Sequence, residues 1–99
     1  MMRVSQDSRG EVLVLVDGTF DRAEASRLQG VFREAGEGEH VVVDFSHVRE
    51  MHEVELAAVA RCMTGTAARV ELRGLARHQE RVLRYMGVDL GGFGADPPS

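Results

Sequence analysis

Two apolar, β-branched runs separated by one helix-length segment constrain this chain most. The first is Glu11-Val-Leu-Val-Leu-Val16, closed by Asp17-Gly18. A continuous run of this kind reads as an interior strand. The second is His40 to Phe45, with Val41-Val-Val43 at its centre. Between them, Asp21 to Ala35 reads as a helix. Asp21 is placed to cap it, with Glu24 at capping-box spacing. Leu28, Val31, Phe32 and Ala35 fall on one stripe, and Gly36 and Gly38 end the segment. Two strands joined through a helix pair in parallel, with a right-handed crossover.

The remaining segments extend that pattern. Arg3 to Asp7 is a shorter strand, joined to the first run by a turn at Ser8-Arg9-Gly10. Ser46 to Met51 reads as a connecting loop. A helix over about Glu53 to Thr64 carries Leu56, Val59, Ala60 and Met63 on one face and stops at Gly65. Arg69-Val-Glu-Leu-Arg73 alternates like a strand with one wet face, and Gly74 breaks the chain. A last helix runs from about Ala76 to Met86 and buries Val82, Leu83 and Met86. The expected order is β-β-α-β-α-β-α. This is a single α/β domain with a mixed sheet of about four strands: an N-terminal hairpin, then parallel βαβαβ. If each strand lies beside its predecessor, the helices share one face, and the other face is a candidate contact surface. Residues 1–90 are expected to form the domain and 91–99, rich in Gly and Pro, a flexible tail.

Composition narrows the function. The chain has 99 residues and a net charge of −4. That balance argues against a nucleic-acid or anionic-membrane binder, whose footprint is a clustered basic excess. All 12 basic residues are Arg, so there is neither a phosphate-cradling nor a Schiff-base lysine. The joint absence of Lys, Ile and Asn, whose codons are A/T-rich, points to a GC-rich, bacterial genome. Cys62, the one cysteine, reads as a small buried hydrophobe. No apolar stretch approaches a membrane span or a secretory leader, so direct membrane insertion is not expected and the location reads as cytoplasmic.

Catalytic patterns are absent. His52-Glu-Val-Glu-Leu56 begins like a zinc-binding H-E-x-x-H helix, but Leu56 stands where the second His belongs. No metal and no cofactor is expected. His40, His47 and His78 read as strand-edge or surface residues. Asp44, at a strand end, is a candidate functional carboxylate, with a turn-forming role for its side chain favoured. Glu37 and Glu39 read as solvated. Arg77, Arg81 and Arg84 line one side of the last helix and read as its solvated face.

Four segments together resemble the STAS domain, the anti-sigma-factor antagonist family of bacterial regulatory proteins. They are Val12-Leu-Val-Leu-Val-Asp-Gly-Thr-Phe-Asp21, Val41-Val-Val-Asp-Phe-Ser-His-Val48, Val70-Glu-Leu-Arg-Gly74 and Val82-Leu-Arg-Tyr-Met-Gly-Val88. The resemblance implies a STAS-like fold and a non-enzymatic regulator that works by docking proteins. In that family an apolar residue precedes Asp-Ser-Ser-Gly-Leu, and the second Ser accepts phosphate from a partner kinase. Here Met51 and Leu56 keep the frame, while His52, Glu53, Val54 and Glu55 replace what lies between. Val54 falls on the phosphoacceptor position and has no hydroxyl.

The resemblance therefore implies a partner-binding segment around Ser46, His52, Glu53, Val54 and Glu55 that is not phosphorylated at the usual place. Glu53 and Glu55 sit at a helix start, where negative charge is favoured by about 0.3–1 kcal/mol per group. The expected partner is an anti-sigma-type kinase or another STAS-containing protein, with a homodimer as a further option. A second role some relatives fill is that of a small accessory subunit in a membrane lipid-transport ATPase complex.

Overall fold

The valines at 41–43 form the heart of the longest strand, and the sheet is assembled around it. The computed structural model describes residues 1–7 and 9–88. Its elements are β1 (Met2–Gln6), β2 (Glu11–Phe20), α1 (Arg22–Glu34), β3 (His40–Met51), α2 (Glu53–Thr64), β4 (Arg69–Arg73) and α3 (Arg77–Tyr85). The strand order is β1-β2-β3-β4. β1 pairs antiparallel with β2, and the other two pairings are parallel. The mixed four-stranded α/β sheet expected from the sequence is thus what forms. The segment 91–99 lies outside the described residues.

One face of the sheet carries the core. Val12, Val14 and Val16 of β2, Val41, Val43 and Phe45 of β3, and Leu72 of β4 join Leu28 and Phe32 of α1, Leu56 and Val59 of α2, and Leu83 of α3 in one buried cluster. Phe20 and Phe45 close it edge-to-face, with ring centroids 5.4 Å apart. All three helices therefore cover the same face. β2 accordingly alternates buried and more open positions, and is not covered on both sides as its sequence implied.

Two boundaries correct the sequence reading. The Ser46–Met51 segment is not a loop. β3 continues through it and pairs with an extension of β2, with Asp17 opposite His47, Gly18 opposite Val48 and Phe20 opposite Met51. Register shifts after Leu15 and after Gly18 make this possible. Each shift inserts an unpaired residue and breaks the two-residue alternation by which a strand is recognised. Gly18, which read as a turn, sits inside the strand at φ +76°. The N-terminal strand is also displaced by one residue, because Asp7 belongs to the turn. Its carboxylate accepts the backbone N–H groups of Arg9 and Glu11 at 2.9 and 3.0 Å.

On the opposite face of the sheet, polar side chains surround a short apolar strip. Leu13 and Val42 are register partners there, with Glu71 beyond Val42 on β4. Around them runs a charge ladder. His40 Nδ1 lies 3.3 Å from Glu11, and its Nε2 lies 3.4 Å from Glu71. Arg73 Nε donates to Glu71 at 2.8 Å. Val42 is only 1% exposed, although it faces away from the helices, and Leu15 on the same face is 39% exposed. His40, which read as a lone strand-edge residue, is the middle rung of this ladder.

Candidate functional site: the start of helix α2 and the groove beside it

Ser46, the first candidate residue, is locked in place. Its backbone N–H and its hydroxyl both donate to Asp44 Oδ1, at 2.9 and 2.6 Å. Asp44 thus spends its carboxylate on its own strand, close to the local role favoured from sequence, though in a bulged strand and not a turn. The Ser46 hydroxyl is the main reason the Asp44 carboxyl titrates below the ordinary range. The Ser46 N–H and the charges of His47 and Arg73 act in the same direction. From the other side, Gly74 abuts the Ser46 backbone. It has φ +77°, and a Cβ built on it would collide with Ser46 main-chain atoms.

His52 is the N-cap of α2, and its side chain makes no capping hydrogen bond. The first N–H groups of the helix are left without side-chain partners, and Glu53 in the first turn faces their partial positive charge. Glu53 is exposed. Val54 is 71% exposed, an apolar side chain held outward in the first helical turn. Glu55 differs from the expectation of an exposed pair of carboxylates. It is 9% exposed, and its Oε1 is shut off from solvent with no hydrogen-bond partner. Two residues along a helix turn the side chain by about 200°, so Glu55 cannot share the face of Glu53.

Glu55 instead lines a groove of about 660 Å³ between α1 and α2. Arg22, Ala25, Ser26 and Gln29 form the α1 wall. His52, Val54, Glu55, Ala58 and Arg61 form the α2 wall. A second hollow of about 300 Å³ shares Gln29 and Arg61 and extends the groove past Arg33 and Cys62 to Gly65 and Thr66. Its end is fixed by the Thr66 hydroxyl, which donates to Phe32 O at 3.0 Å. Burial pushes the Cys62 thiol pKa up, against a hydrogen bond with Gln29 and the charges of Arg61 and Arg33. This opposes thiolate chemistry there.

The structure thus brings His52, Val54 and Glu55 together on one groove, with Glu53 on the exposed side of the same helix start. Ser46 is not among the groove-lining residues. Sequence reading missed the α1 wall. Arg22, Ser26, Gln29 and Arg33 recur at i, i+4, i+7 and i+11, a polar stripe opposite the apolar one. Arg77, Arg81 and Arg84 lie exposed on α3. Among the described residues no three His, Cys, Asp or Glu side chains form a metal-binding group. No helix among them is long and apolar enough to cross a membrane.

Comparison with known proteins bears on the whole fold. A family model described as "Mlab, STAS domain" matches residues 2–90. The solved structure of the anti-sigma factor antagonist SpoIIAA in its unphosphorylated form superposes with a TM-score of 0.65, covering 86% of this chain and 83% of that one. The two sequences are 15% identical, so this likeness speaks for the fold. No curated protein sequence matches the chain. With nearly every described residue inside the family match, this chain belongs to the STAS-domain family.

Proposed function

We propose that this chain, as a domain over residues 1–90, is a non-enzymatic bacterial regulator of the anti-sigma-factor-antagonist kind. It docks a cytoplasmic protein partner, an anti-sigma-type kinase or another STAS-containing protein, through the end of β3 and the start of α2. Ser46, His52, Glu53, Val54 and Glu55 are the residues of that surface. The observation that carries this reading is Val54, 71% exposed in the first turn of α2. An isolated exposed valine is unremarkable. This one stands at the position where the family pattern has its phosphoacceptor, beside helix N–H groups that no side chain caps.

No phosphate is transferred to position 54. Partner binding is therefore set by the resident side chains and is not switched there. Glu53 supplies the permanent negative charge and Val54 the apolar contact. Because Glu55 is buried, the charge at the helix start is reversed at Glu53 and not at Glu55. The test is affinity capture from the native host followed by mass spectrometry. The protein captured by the unaltered chain should be lost by the folded double variant Glu53→Arg, Val54→Asp. Equal capture by that variant would sink the docking surface. Incubating the chain with a captured kinase and ATP should leave its intact mass unchanged. A phosphate mapped to residues 46–66 would overturn the unswitched reading. If the captured protein is instead a transport ATPase subunit, the accessory-subunit role takes precedence.

A further inference from the structure

The groove between α1 and α2, with the hollow that continues it, is lined by three arginines and one carboxylate. The chain as a whole is acidic, at −4. Yet Arg22, Arg61 and Arg33 stand along the groove, and none of them makes an ion pair among the described residues. The single carboxylate on the walls is Glu55, buried, with one oxygen lacking a donor. Outside the groove, Arg27 and Arg73 pair with glutamates, at 3.9 and 2.8 Å, on open surface and not in a concavity. Arg22 and Glu55 line the first hollow, Arg33 the second, and Arg61 both.

We propose that this groove seats an acidic segment of the protein partner. The segment's carboxylates pair with Arg22, Arg61 and Arg33. This deepens the docking reading and rests on it: Val54 and His52, on the same groove, are the outer lip of the seat. Three features select a peptide. First, carboxylates spaced along one chain can reach Arg22, Arg61 and Arg33 together, which a single phosphate or carboxylate ion cannot. Second, Ala25, Ser26 and Ala58 line the groove with small side chains, so a backbone can approach closely. Third, Arg22 to Arg33 spans about 16 Å of helix, enough for about three turns of a bound helix. A membrane or nucleic-acid surface would meet the acidic remainder of the molecule as well as the groove.

The proposal is tested by residue-specific photo-crosslinking in host lysate. A benzophenone amino acid is placed at Ser26 inside the groove, at Val54 on its lip, and at Arg77 on α3. The segment crosslinked from position 26 is identified by mass spectrometry, synthesised, and titrated against the intact chain. The expected result is a crosslink at position 26 to a segment rich in Asp and Glu. Its affinity should fall by more than about tenfold in the double variant Arg22→Glu, Arg61→Glu, and the loss should shrink at high salt. Circular dichroism checks that this variant is folded, and Arg22→Gln, Arg61→Gln serves in its place if it is not.

Crosslinks from position 54 but not 26 would overturn the groove proposal while leaving the docking reading intact. Crosslinks from neither position would overturn both. A basic or neutral segment at position 26 would also overturn the proposal. So would flotation of the chain with phosphatidylglycerol vesicles that depends on Arg22 and Arg61.

Discussion

The two faces of this molecule use charged side chains to different ends. On the open face of the sheet, charged side chains answer one another. Glu11, His40, Glu71 and Arg73 form a ladder of contacts between 2.8 and 3.4 Å. They frame Val42 and leave it 1% exposed. On the helix side, Arg22, Arg33 and Arg61 line a groove without ion pairs among the described residues, around a carboxylate oxygen with no donor. Charges already satisfied within a fold have little left to offer a partner. Unsatisfied ones in a concavity are available for recognition. The sheet face, which no helix covers, hides Val42 behind this ladder and leaves Leu15 39% exposed.

That contrast can be broken from the sheet side. Gly74→Ala should give the largest loss of stability. It places a Cβ at φ +77° and into the Ser46 backbone, where neither β3 nor β4 can yield without disturbing the ladder. A loss of about 2–4 kcal/mol is expected in urea denaturation. A change below about 0.5 kcal/mol would show that the two strands slide apart freely.

Ser46→Ala should cost less, about 1 kcal/mol at neutral pH, by removing one hydroxyl donor to a carboxylate. Its signature is in the acid range. A carboxyl whose pKa is lowered by folding adds stability above its unfolded pKa, and that stability disappears as pH falls through the folded value. Asp44 is such a group, chiefly through the Ser46 hydroxyl. In the variant the Asp44 pKa should move up toward the ordinary carboxylate value, about 3.9. The acid-side loss of stability should then be shallower below about pH 4. An NMR titration of Asp44 that is identical in both proteins would contradict the assignment.

Glu71→Gln should have the smallest effect. Glu71 contacts both His40 and Arg73, yet the ladder is half in water, and such pairs contribute about 0–1 kcal/mol. The difference from the parent should shrink further in high salt. A salt-insensitive loss of several kcal/mol would mean that the ladder holds the sheet together and does not merely cover it.

The sequence made some of this architecture legible and hid the rest for physical reasons. The valine runs and the apolar stripe at Leu28, Val31 and Phe32 announce a parallel sheet with crossover helices, because burial imposes their periods directly. Strand ends were not legible. The extension of β2 through Gly18 and of β3 through Ser46 depends on two register shifts, and each shift erases the alternation that would have disclosed it. The Met51–Leu56 frame falls on the start of α2, with His52 at its N-cap and Val54 in its first turn. The burial of Glu55 was hidden, because which side of α2 is covered depends on where α1 lies. For the same reason nothing in the sequence singles out the Arg22, Ser26, Gln29, Arg33 stripe. Only the neighbouring helix turns it into a wall.

The comparison between the two faces is tested most directly by one paired measurement. The acidic segment recovered by crosslinking at position 26 is titrated by surface plasmon resonance against two folded variants. One carries Arg22→Glu and Arg61→Glu in the groove; the other carries Glu11→Gln and Glu71→Gln on the sheet. The groove variant should lose more than about tenfold in affinity, mainly through slower association, with little change in melting temperature. The sheet variant should bind as the parent does and melt slightly lower. Loss of binding by the sheet variant with full binding by the groove variant would contradict the account and return the contact surface to the open face of the sheet.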